Sequence, residues 1–131
     1  MKKIITMKTD KIIYWVSTAF ISLMMMFAGF AYLTSTMAKS GFVHLGFPDY
    51  FRVELGIAKF LGAIALILPW TPVKVKEFAY TGFTITFISA FIAHMSSGDP
   101  LKVAMNPVVA LVVLTFSYIY YIRIKKTSDT I

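Results

Sequence analysis

Glu54, Lys59 and His94 are the residues whose types and positions carry chemistry in this chain. Glu54 and Lys59 lie inside a segment expected to cross lipid, where a charge costs on the order of 2.5 to 3.5 kcal/mol near the centre and turns toward a bundle interior or a wet cavity. Counted inward from the outer end of that helix at about 1.5 Å per residue, Glu54 is about one turn deep and Lys59 about 12 Å deep, close to the midplane. A carboxylate, an ammonium and an imidazole at similar depth can hold a headgroup, a quinone-like ring or a small solute, with Glu54 and His94 as proton partners. The plainer alternative is that the three satisfy one another and only lock the packing.

Local geometry limits how they meet. Helical side chains tilt toward the helix N-terminus, so Lys59 reaches back toward the depth of Glu54. The two are five positions apart, about 140° around the helix, which is not the favourable i,i+4 spacing and calls for a third group from another helix. Glu54, Ala58, Gly62 and Ala65 form a stripe of small residues, the pattern by which membrane helices approach closely, and this predicts that Glu54 faces the bundle interior. On the following span His94 shares a face with Ala90, Phe87 and Phe83. Tyr32, His44, Asp49 and Asp99 are expected at the same level, giving a polar pocket in the outer half.

These positions depend on the elements that carry them. No charge occurs in 12–38, 60–73, 78–98 or 103–122, and each run is rich in large apolar residues. About 20 helical residues cross a hydrocarbon layer of roughly 30 Å, so the second run must borrow the charged stretch that begins near Asp49. The expected helices are about 12–34, 50–69, 77–96 and 106–124, giving an all-α integral membrane bundle of four helices in one domain. Asp49 after Pro48 is expected to cap the second helix, Pro69 and Pro72 to end it, and Asn106 before Pro107 to start the fourth. His44 falls in a Gly-flanked loop. A signal peptide is the competing reading of the N-terminus, but the apolar stretch is too long and lacks a convincing cleavage site.

Basic residues set the orientation. Lys2, Lys3, Lys8, Lys11, Lys74, Lys76, Arg123, Lys125 and Lys126 share one side, against Lys39, Arg52 and Lys102 on the other, so both termini are expected in the cytoplasm. Tyr14, Trp15, Trp70, Tyr80, Tyr118, Tyr120 and Tyr121 gather at the same interface as an aromatic belt.

Composition excludes other classes. With 58% apolar and 15% charged residues in 131, the chain holds more apolar side chain than a soluble core of that size buries. The net charge of +7 is spread between apolar runs rather than grouped on one face, which speaks against a nucleic-acid partner. The absence of cysteine removes thiolate zinc, iron–sulfur and thiol–disulfide chemistry. A b-type haem needs two opposed ligands, and only His94 is expected on a helix. His44 and His94 show no metal-ligand spacing, so no metal site is expected. Met24, Met25 and Met26 point about 100° apart and cannot converge on one ion. No phosphate loop or nucleophile motif is present. Whether the chain is an enzyme is left open.

The segments HLGFPDYF at 44–51, ELGIAKFLGAIALILP at 54–69, VKEFAYTGF at 75–83 and ISAFIAHMSSGDP at 88–100 resemble the DoxX-like family of small bacterial membrane proteins. The resemblance covers most of the chain, whereas the first and last helices match only as apolar spans. It implies a four-helix bundle in the bacterial inner membrane. The family takes its name from a subunit of a thiosulfate:quinone oxidoreductase, and this implies an accessory or quinone-contacting role in a redox system, with a partner subunit or as a homo-oligomer. No residue here matches an established catalytic position. A small-solute permease and a non-catalytic scaffold are the rival readings.

Overall fold

The computed structural model describes residues 2–130, which fold into five α-helices: α1 (Lys2–Thr34), α2 (Thr36–His44), α3 (Asp49–Ile67), α4 (Val73–Ser96) and α5 (Leu101–Thr130). Local chemistry marks the breaks. Ser35 leaves helical geometry, and its side chain accepts a hydrogen bond from the backbone N–H of Ala38, capping α2. Gly46 at φ +83° and Gly98 at φ +76° turn the chain after α2 and α4 through the left-handed region that glycine tolerates. Pro72 stands just before α4 and Pro100 just before α5.

Three expectations are corrected. The stretch after the first span is not all loop: α2 forms there, and His44 is its last residue. Asp49 is the first residue of α3 with Pro48 in the cap position, and no side-chain cap bond forms. Asn106 and Pro107 do not start the last helix, since α5 begins at Leu101 and passes through Pro107. The helices α1, α4 and α5 extend beyond their expected limits at one or both ends, whereas α3 starts one residue early and stops two residues short, at Ile67.

The long helices pack in a ring, α1 against α3, α3 against α4, α4 against α5 and α5 against α1. The start of α1 and end of α5 meet at one end through Asp10 and Arg123, which we term the terminal end. At the opposite loop end, α2 and the two turns come together. Ile21, Met25, Ala63, Leu66, Tyr80, Phe83, Phe87, Ala110 and Leu114 fill the ring. The α1–α3 seam closes on glycine: a Cβ at Gly29 would stand 2.8 Å from the carbonyl oxygen of Gly56. Outward faces are apolar on every long helix, with Phe27, Leu61, Phe78 and Val109 among the exposed side chains. Water would not tolerate so much exposed apolar surface, and lipid contact accounts for it. By length and composition α1, α4 and α5 are membrane-span candidates, and α3 lies between them with Asp49, Arg52 and Glu54 in its first half and Lys59 near its middle.

Candidate functional site

The interior face of α3 is Arg52, Gly56, Lys59, Ala63 and Leu66, all buried and spaced by four and three residues. This face decides the fate of the two central charges. Lys59 is only 5% exposed, and Glu54, about 140° away, is exposed on the outside of the helix. The expectation that Glu54 points inward on a small-residue stripe is therefore corrected. Ala58 is exposed as well, and Gly62 and Ala65 flank a groove toward α4 instead of packing into α1. No ion pair joins Glu54 to Lys59 or to His94 among the described residues.

Lys59 finds softer partners. Its Nζ donates to the Met25 thioether at 3.5 Å and stands 5.1 Å from the centre of the Tyr32 ring and 5.7 Å from that of Phe87. Ring faces attract a cation, but they do not neutralise it. Lys59 also lines a groove of about 360 Å³ between α3 and α4, walled by Leu55, Gly62, Phe78, Ala79 and Phe83. It is the only charged residue in that lining.

At the loop end the chain brings Asp99 between two histidines. His44 Nε2 donates to Asp99 Oδ1 at 2.6 Å, and His94 Nδ1 donates to Oδ2 at 2.6 Å; an ionised carboxylate can only accept, which fixes the donors. The His94 and His44 hydrogen bonds hold the Asp99 carboxyl below the usual carboxylate range. This bridge ties the end of α2 to the α4–α5 turn. Nearby, Arg52 donates to Asp49 Oδ1 at 3.0 Å and to the backbone carbonyl of Tyr32. Tyr32, Phe42, Phe47 and Phe51 form a run of ring contacts at this end.

The seven expected site residues are thus distributed over several groupings. Lys59 and Tyr32 touch, His44, Asp99 and His94 form one bridge, Asp49 pairs with Arg52, and Glu54 stands apart. No grouping of three or more His, Asp or Glu side chains suited to a metal ion occurs among the described residues.

A second polar cluster, at the terminal end, went unread in the sequence. Lys76 and Tyr14, expected as an orienting charge and a belt aromatic, are 4% exposed each. Lys76 Nζ donates to Tyr14 Oη at 2.6 Å and to the Leu66 carbonyl at 3.5 Å, facing the rings of Trp15 and Tyr121 as well. Ser117 Oγ shares hydrogen bonds with Thr18 Oγ1 at 2.6 Å and Tyr80 Oη at 2.7 Å. The available signal was the four-residue repeat Asp10, Tyr14, Thr18, Ser22, which places four polar residues on one face of α1.

Helices with lipid-facing exteriors and a ring interior holding polar side chains define a multi-pass helical membrane protein. The chain belongs to the DoxX-like family, whose model matches residues 16–116. No significant match occurs among curated proteins or among solved structures.

Proposed function

We propose that this chain is an accessory, quinone-contacting component of a bacterial inner-membrane redox system, taking the ring of its ligand into the α3–α4 groove beside Lys59. The observation that carries this reading is a buried ammonium with no carboxylate partner among the described residues, in the lining of an otherwise uncharged groove. A quinone is an apolar ring and tail with carbonyl acceptors, and such a groove offers apolar walls and one strong donor. The family's name adds the link to quinone chemistry. The polar bridge of His44, Asp99 and His94 ties α2 to the α4–α5 turn at the loop end, while Glu54 on the outer face is available to a partner subunit or a second copy.

The same reading takes α3 as the fourth span of a single membrane domain. Val53, Ile57, Leu61 and Ile64 are exposed at helical spacing and form a lipid-facing stripe on it. Both termini are assigned to the cytoplasm. Setting aside buried Lys76 and Arg52 still leaves eight basic residues on the terminal side against Lys39 and Lys102 on the other.

The test is purification in mild detergent with mass spectrometry of extracted quinone. Wild type should retain quinone in near-stoichiometric amount, and Lys59→Met should lose it while keeping its helical circular dichroism. Quinone-free wild type, or unchanged retention in Lys59→Met, would sink the proposal.

A further inference from the structure

Buried polar side chains recur along the inward face of α1. Asp10, Tyr14, Thr18 and Ser22 follow at four-residue steps and are each at most 4% exposed; Met25, three positions on, carries the Lys59 ammonium on its sulfur. The other helices complete the row. Arg123 holds Asp10 at 3.3 Å at the terminal end, with its own side chain half-exposed. Lys76 reaches Tyr14, and Ser117 joins Thr18 to Tyr80. Beyond them, Ser22 Oγ is buried with no hydrogen-bond partner among the described residues. An unpaired buried hydroxyl is destabilising, so its retention calls for a reason.

We propose that this row is a proton path open to the terminal end and closed at the loop end, with Ser22 as the link that hands protons to Lys59. The bonded row is interrupted between Asp10 and Tyr14 and on both sides of Ser22, toward Thr18 and toward the Met25–Lys59 contact. Each break spans about one helical turn or less, a gap that one bridging water fills. Once the Lys59 ammonium has given up a proton, hops refill it: each O–H bond broken is matched by one formed on the next oxygen and the last by an N–H bond on the Lys59 amine, a proton enters from water at the terminal end, and no electron moves. Past Lys59 the row ends against Tyr32, whose ring packs at 5.0 Å on buried Phe42. Tyr32 is the titratable group set against Lys59 from α1, and α4 presents Phe87 to it. This inference deepens the groove reading, because a ligand that exchanges protons there would draw them through Lys59, but its test needs no quinone.

The experiment uses proteoliposomes with uniform insertion, in which the pH of one face is stepped and the protonation of Lys59 is followed by its 15Nζ chemical shift. Wild type should follow a step on the terminal face and ignore one on the loop face. Ser22→Ala and Ser117→Ala, which cut the path at two separate points, should each slow the response at least about tenfold. Ser22→Ala removes a hydroxyl with no protein hydrogen-bond partner among the described residues, so the packing is kept and the variant remains readable if Ser117→Ala fails to fold. A Lys59 signal that follows the loop face, or a folded Ser22→Ala that keeps pace with wild type, would overturn the path. Because quinone retention is measured separately, a failed path leaves the groove proposal standing, and the reverse also holds.

Discussion

Lys59 and Glu54 have opposite environments because only one of two positions 140° apart on a helix can face the bundle axis. Lys59 takes the interior, where its ammonium is desolvated against a thioether and two rings. Lys59→Met, close in length and apolar, should therefore raise stability in detergent by roughly 1 kcal/mol or more, read as an increase in melting temperature. Glu54 is exposed, so Glu54→Gln should shift stability by less than about 0.5 kcal/mol in the same assay. The Asp99 bridge behaves differently again. Its carboxyl is held below the ordinary value of about 3.9, so the stabilisation is complete above roughly pH 4 and is lost as acid takes the pH down through the lowered value. The melting-temperature advantage of wild type over Asp99→Asn should be constant near neutrality and shrink below about pH 4.

Packing between elements turns on two glycines. At Gly29 an added Cβ would meet the Gly56 carbonyl oxygen at 2.8 Å, a backbone atom that cannot rotate away, so α1 and α3 would have to separate. At Gly62 it would meet the Phe83 ring at 2.7 Å, and Phe83 is itself core, stacked on Phe87 with centroids 5.9 Å apart. Both alanine variants should lose about 1–3 kcal/mol in detergent melts, with Gly29→Ala the worse of the two. The α1–α4–α5 contact instead rests on hydroxyls. Ser117 serves Thr18 and Tyr80 together, and Ser117→Ala should cost on the order of 1–3 kcal/mol because it leaves two buried hydroxyls short of a partner.

At the scale of the whole molecule, the ring of long helices places charged ends on both faces and an apolar belt between them. The chain has no cysteine, so single-cysteine variants report topology without background. An impermeant maleimide added to intact cells should label Ser40→Cys on α2 and should not label Ser128→Cys near the end of α5. The reverse pattern would invert the assigned orientation.

Much of this architecture was legible in the chain itself. Apolar runs, turn residues and the family-like segments identify a helical membrane protein, because lipid demands long apolar helices with their backbone bonds satisfied internally. The same order of helices brings Tyr32, His44, Asp49, Lys59, His94 and Asp99 toward one end. What only the tertiary structure decided was rotation and partnership. The small-residue stripe through Glu54 and the row through Lys59 both suit a close helix interface by spacing alone, and Gly56 against Gly29 selects the second. Lys76 and Tyr14 look like interfacial anchors in sequence, yet the ring buries them against each other. Hydropathy records how much apolar surface each helix carries, whereas the side that faces inward depends on neighbours more than twelve residues away, and no local pattern contains them.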